Sequence, residues 1–325
     1  MQFPIEQRLA KLQTDGVNLT LPELVRYKPI AKRLNLNPAS AIKSSMAGGM
    51  ASRFKGRGME FDEARHYQPG DDIRSIDWRV TARTGKTHTK VYREERERPV
   101  IVYLDLHQNM KFGTQLLYKS VQAVHASAMV TFSALARGDK IGCICANENT
   151  DLELKPKASA KHGFAMLNQI VNLHNQSQQS SQAKKTANTC IDSINKLAVL
   201  AKPGTLVYVI SDFSLFDQAC FDALGNIQRH CEIRPLYIYD PIEMSLPHLS
   251  NTNDVLLTDG LNEQNLTLGD KDVENAYSST RLAWLSQFKQ RMQVLGINVN
   301  KLNAAHSVES QMSSTRAGLV LGDTL

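Results

Sequence analysis

Two apolar runs in this chain end on a carboxylate: VIVYLD, which closes at Asp105, and TLVYVISD, which closes at Asp212. Two carboxylates brought to the same end of a sheet make a site for a hard cation, which takes oxygen ligands. The competing assignment is that each aspartate caps the turn or helix that follows it. A second store of ionisable groups lies upstream, where Glu60, Asp62 and Glu63 could be acidic ligands. The arginines on either side would compete with a metal for those acids. Other chemistries lack their residues. There is no Gly-x-x-x-x-Gly-Lys-Ser/Thr loop to cradle phosphates, so the chain is not expected to hydrolyse nucleotide itself. Gly-x-Ser-x-Gly is missing, which removes the commonest serine-hydrolase pattern. The nine histidines are dispersed, with no His-x-Glu-x-x-His or Cys-x-x-Cys spacing for zinc.

The stretch from Phe61 to Pro99 alternates acids and bases more densely than a solvated surface requires. Arg65, Asp71, Asp72, Arg74, Asp77, Arg79, Arg83, Arg93, Glu94 and Glu95 surround Trp78, with Tyr67 close by. Ile76, Trp78 and Val80 alternate with Asp77, Arg79 and Thr81, a strand period. Thr84-Gly85-Lys86 then supplies a turn and Thr87 to Arg93 alternates again, so a β-hairpin is expected. On that strand Trp78 would face the core with Ile76 and Val80. Pro69-Gly70-Asp71-Asp72 reads as a turn before the hairpin. The guanidinium groups of Arg74, Arg79 and Arg83 can fork onto carboxylates, giving an ion-pair lattice that ties the hairpin down. The alternative is a docking face, since charge complementarity tunes specificity and association rate. Both assignments stand, and one segment can serve both.

The elements that must position these groups follow from periodicity. LTLPELVRYKPIAKRL reads as a helix with a Thr20–Glu23 capping-box spacing and an interruption at Pro29. From Val100 onward strands and helices alternate. Helices are expected over about Thr114 to Ala136, Ala158 to His174, Thr189 to Ala201, Phe216 to His230 and Val273 to Leu295. NQSQQSSQAKK is a polar connection. Alternating strands and helices imply a mostly parallel sheet covered on both faces, an α/β doubly wound fold with one antiparallel edge strand. The organisation expected is an N-terminal helical segment and loop over 1–52, the charged hairpin over 53–98, the sheet domain over 99–304 with a hairpin insertion near 250–270, and a flexible tail over 305–325.

The 325 residues can bury a substantial core, and the net charge of +6 is interleaved rather than patched, which disfavours nucleic acid as a partner. No apolar run approaches the roughly 20 residues of a bilayer span, so no direct membrane insertion is expected. The five cysteines lack framework spacing, and reduced thiols in a cytoplasmic protein are the expectation.

Asp105-Leu106-His107-Gln108-Asn109 resembles the metal-ion-dependent adhesion site of von Willebrand factor A domains, Asp-x-Ser-x-Ser with a distant Thr and a final Asp. On that resemblance Asp105 takes the first position, Asp212 the last and Thr189 the threonine, with Thr186 as the other candidate. The two serine positions hold His107 and Asn109, so Mg2+ would be held at a degenerate site by Asp105, Asn109, Thr189 and Asp212. The run GRGMEFDEARHYQPGDDIRSIDWRVTARTGKTHTKVYREERERPVIVYLD is similar to the signature of a bacterial family catalogued only as domain of unknown function number 58. The match carries Tyr67, Pro69-Gly70-Asp71-Asp72, Ile76-Asp77-Trp78 and Ala82-Arg83. That resemblance implies a von Willebrand factor A-like domain preceded by a β-rich region, acting with a MoxR-type ATPase of the AAA+ class. Other von Willebrand factor A-type proteins are further expected partners. The function so implied is that of a non-enzymatic adaptor. The alternative is a divalent-metal-dependent hydrolase with Asp105 and Asp212 as ligands.

Overall fold

Three short helices open the chain: α1 (Ile5–Leu12), α2 (Leu21–Val25) and α3 (Lys28–Ala31). Pro22 and Pro29 each stand in a first turn, where the missing N–H has no intrahelical partner to lose. The prolines thus divide the expected single helix in two. The expected capping box does not form: the Thr20 hydroxyl donates to Glu23 Oε2 at 3.3 Å in place of accepting from the backbone, and Glu23 is buried. Its Oε1 lies 3.2 Å from His125 Nε2, and His125 Nδ1 lies 3.0 Å from the Tyr27 hydroxyl. In the computed structural model the described residues are 4–36, 59–94, 97–179, 190–247, 253–258, 263–315 and 318–325. They fall into two units, residues 42–97 and the remainder, 1–41 with 98–325.

The smaller unit contains β1 (Met59–His66), α4 (Trp78–Thr84) and β2 (His88–Glu94). The two strands pair antiparallel from Met59 opposite Glu94 to His66 opposite His88. A hairpin-like pair therefore exists, but no strand forms over Ile76–Val80: after a 3-10 turn over Ile73–Ser75, Ile76 makes only an isolated bridge to Thr89 and a helix begins at Trp78. Period-2 alternation over five residues cannot outweigh end signals. Asp77 caps α4, its Oδ1 accepting from the N–H of Arg79 at 3.0 Å and of Val80 at 3.1 Å. Gly85, at φ +69°, closes the helix in the left-handed conformation that glycine adopts without steric cost.

In the larger unit the chain runs β3 (Pro99–Asp105), α5 (Lys119–Arg137), β4 (Lys140–Ala146), β5 (Asp151–Lys157) and α6 (Ala160–Gln179). It continues with α7 (Cys190–Leu200), β6 (Leu206–Ser211), α8 (Gln218–Gln228), β7 (Glu232–Tyr239) and α9 (Pro241–Met244). A hairpin of β8 (Asn253–Thr258) and β9 (Glu263–Leu268) precedes α10 (Lys271–Val294) and β10 (Asn300–Asn303). The chain closes with β11 (Met312–Thr315), β12 (Gly318–Leu321) and β13 (Asp323–Thr324). The central sheet has seven strands in the order β13-β10-β7-β6-β3-β4-β5. Neighbours are parallel except at the two edges, where β5 pairs antiparallel with β4 and β13 with β10. One antiparallel edge was expected and two are present.

Strand alternation sorts the core onto two faces. Val100, Val102 and Leu104 of β3, with Leu206, Tyr208 and Ile210 of β6, pack under α1, α2, α3, α5 and α6. Ile101 and Tyr103, with Val207 and Val209, pack against α7, α8 and α10. Both faces are covered, so these strands read as continuous apolar runs. The expected flexible tail is also corrected: Val308 and Leu321 are buried, and β11 and β12 pair from Met312 opposite Leu321 to Thr315 opposite Gly318. Its polar composition hid the few apolar side chains that anchor it.

Candidate functional site

Strand order reverses between β3 and β6: β3 leads through α5 to β4 on one side, and β6 leads to β7 and β10 on the other. The crevice beyond the carboxyl ends of those two strands is where ligands bind in open α/β sheets. Asp105 is the last residue of β3, and Asp212 follows the last residue of β6; both are buried. A third strand-end carboxylate, Asp240 after β7, is also buried. EIRPLYIYD carries the same apolar-run-to-aspartate signal as the other two, and the pairing of only Asp105 with Asp212 passed over it.

Every one of these carboxylates is engaged. Asp105 Oδ1 accepts from His107 N at 3.0 Å and from His107 Nδ1 at 2.7 Å, while Oδ2 accepts from Ser211 Oγ at 2.5 Å. Asp212 Oδ1 accepts from Asn109 Nδ2 at 2.6 Å, Ser214 Oγ at 2.7 Å and Ser214 N at 3.0 Å. Its Oδ2 lies 2.6 Å from Lys119 Nζ. The same ammonium donates to Glu243 Oε1 at 2.6 Å. Glu243 Oε2 in turn accepts from Asp240 N at 2.9 Å, closing a capping box at α9. Asp240 Oδ2 accepts from Thr114 N at 2.8 Å. Lys119, Glu243, Ser211 and Ser214 were not singled out in the sequence, because lone residues far apart in the chain carry no spacing signal.

The turn after Asp212 is strained. Phe213 adopts φ +56°, a left-handed conformation that costs a bulky side chain about 1–2 kcal/mol. Packing holds it there, with ring centroids 4.9 Å from both Phe216 and Phe288. Electrostatics follow the contacts. Burial opposes charge on Lys119, but the carboxylates of Asp212 and Glu243 outweigh it and hold the ammonium above its ordinary range. Burial likewise opposes the Asp212 carboxylate, and Lys119 outweighs it, keeping that group below its usual range. Desolvation opposes the His107 imidazolium, yet its hydrogen bond to Asp105 raises the ring above its ordinary value. Two buried atoms in this cluster have no hydrogen-bond partner, His107 Nε2 and Asn109 Oδ1.

The residues do not fit a divalent cation as they stand. A hard ion needs several oxygens with free lone pairs. The Asp212 carboxylate already takes four hydrogen bonds, one from an ammonium at 2.6 Å, and Asp105 takes three. Thr189 and Thr186 lie outside the described residues. Among those described, no group of three or more histidine, cysteine, aspartate and glutamate side chains is arranged to hold a metal.

The other residues singled out in the sequence belong to the smaller unit. Arg65 and Asp71 form an ion pair at 2.6 Å, and Asp71 also accepts from Gln68 N at 2.9 Å. The Arg65 guanidinium, with the Gln68 backbone, holds the Asp71 carboxyl below its usual range. Tyr67 is half-buried, its N–H donating to Thr87 O at 2.9 Å. Asp72 and Asp77 cap helices rather than pair with arginines. Among the described residues Arg74, Arg79 and Arg83 make no ion pair, and all three are exposed. Trp78 is 67% exposed, against the core position expected for it. The expected lattice thus reduces to one pair, because capping takes the carboxylates first.

Fold and site together define a mixed α/β protein with a seven-stranded, mostly parallel sheet and a crevice whose carboxylates are all engaged by donors of the protein itself. The chain belongs to the family described as protein of unknown function DUF58, whose model matches residues 63–286. It is 28% identical over 228 residues to uncharacterized proteins of Mycobacterium bovis and Mycobacterium tuberculosis, covering 70% of this chain and 69% of theirs. It is also similar to the conserved hypothetical protein BatB from Bacteroides thetaiotaomicron, at 16% identity and a TM-score of 0.36 over 61% of this chain and 98% of that one. No helix among the described residues is long and apolar enough to cross a membrane.

Proposed function

We propose that this protein is a non-enzymatic adaptor that works in the cytoplasm with a MoxR-type ATPase of the AAA+ class, in the assembly or maturation of other complexes. On this reading the larger unit is a von Willebrand factor A-like domain, and other proteins of that type are further candidate partners. One observation carries the proposal. α4 presents Trp78, Arg79, Ala82 and Arg83 on one exposed side, next to exposed Ile73 and Arg74, with none of the three arginines neutralised by a carboxylate. An exposed tryptophan ringed by unpaired arginines is the composition of an interface hot spot. The crevice supports the same reading, since its carboxylates hold protein donors and leave none free to activate a substrate.

The test is retention of a MoxR-type ATPase from the same organism on immobilised protein, with ATP, ADP and no nucleotide. Trp78→Ala and the double change Arg79→Glu with Arg83→Glu should each weaken retention about tenfold or more, the loss of one hot spot. Their thermal unfolding should match that of the unaltered protein, because these side chains are exposed. No retention under any nucleotide condition, or equal retention of the variants, refutes the proposal.

A further inference from the structure

We infer that the crevice carries its own cation: the Lys119 ammonium bridges Asp212 and Glu243 in place of a divalent ion, so the site works without metal. This holds whether or not the protein binds an ATPase.

The position of Lys119 is unfavourable on every count but one. Its side chain is 2% exposed, so the charge is desolvated. It is the first residue of α5, the end of a helix that favours negative charge. What holds it is geometry: Nζ lies 2.6 Å from Asp212 Oδ2 and 2.6 Å from Glu243 Oε1. The Phe112 ring, with its centroid 6.0 Å away, offers a further electronegative face. Three elements meet at this one atom, the start of α5, the end of β6 and α9. A divalent ion entering here would displace the ammonium and leave it buried and unpaired, which is costly.

Removing the ammonium reverses the balance. Asp212 Oδ2 and Glu243 Oε1 would then face each other uncompensated, with Asp212 Oδ1 still held by Asn109 Nδ2 and Ser214 Oγ. That is a set of hard oxygens suited to Mg2+ or Mn2+. Lys119→Ala should therefore create a metal site that the natural protein lacks.

The experiment titrates MgCl2 and MnCl2 into the full chain and into Lys119→Ala by calorimetry, with thermal unfolding in EDTA and in millimolar metal as a second readout. The natural protein should give no binding heat and the same unfolding temperature in both conditions. Lys119→Ala should unfold several degrees lower in EDTA, recover part of that loss in Mn2+, and bind Mn2+ at least about tenfold tighter than the natural protein. Lys119→Gln, which keeps a neutral donor of similar length, guards against outright misfolding and should also bind Mn2+ more tightly than the natural protein. Stoichiometric metal binding by the natural protein overturns the inference. So does a folded Lys119 variant with no gain in metal affinity.

Discussion

Acidification from pH 7 to pH 5 should destabilise this protein by about 2 kcal/mol through His174 alone. His174 lies in α6 and is fully buried. Its Nδ1 lies 3.2 Å from Asn175 Oδ1, which also accepts from Leu19 N, so Nδ1 carries the proton and donates. Nε2 must then accept, and it lies 2.9 Å from Ser120 Oγ and 3.3 Å from Gln178 Nε2. The site is built for the neutral ring. Burial pushes its pKa down from 6.5 to about 4, with Lys111 and His125 adding to the depression and Asp15 and the Asn175 hydrogen bond opposing it. Between those two values the unfolded chain binds the proton and the folded chain does not, so stability falls as pH falls. The loss begins near pH 6.5 and is complete just below 4, where it amounts to about 3 kcal/mol. Urea denaturation of the natural protein and of His174→Gln at steps between pH 7 and 4.5 isolates the contribution, because other groups titrate alike in both. The difference between the two stabilities should change by about 2 kcal/mol from pH 7 to pH 5. Parallel curves would refute the reasoning.

Two further perturbations probe the local structure. Asp77→Ala removes both hydrogen bonds at the start of α4 and should cost about 1 kcal/mol, read as lost protection of the α4 amides in hydrogen exchange; unchanged protection would show that the cap is not what holds the helix. Gly142→Ala would place a Cβ 2.5 Å from Leu154 O and 2.7 Å from Pro156 N, both backbone atoms of β5. Neither can yield without moving the strand, so this substitution should destabilise by about 1–3 kcal/mol and loosen the β4–β5 pairing first. Retention of full thermal stability would contradict that geometry.

The sheet was legible because burial on both faces writes itself into sequence as unbroken apolar strands, and VIVYLD and TLVYVIS say so directly. The C-terminal end of α5 was legible because Gly138 stops the helix at φ +79°, whereas its start lies at Lys119 and not near Thr114, and α6 runs past His174 to Gln179. The charged segment misled because Ile76, Trp78 and Val80 fit a strand over five residues. The pair that decided the matter, Asp77 and Gly85, lay in plain view as a capping residue and a left-handed stop. Of the candidate site, the strand-end aspartates could be read locally, whereas Lys119 and Glu243 could not. Their role depends on α5 and α9 converging from positions 124 residues apart, and no local spacing encodes that.

The two antiparallel edges have a bearing on how this sheet meets other molecules. An open parallel sheet invites a foreign strand to extend it, by donating and accepting at an unpaired rim. Here one rim is β13, only two residues long. The other is β5, where Pro156 has no amide hydrogen to give and Glu153, Lys155 and Lys157 stand exposed. Growth is blocked on both sides. The sheet is thus protected from polymerising with copies of itself, and it is equally closed to a partner's extended peptide. A partner of the central sheet must therefore be gripped by side chains, at the crevice mouth or on a covering helix, and not by backbone shared with that sheet.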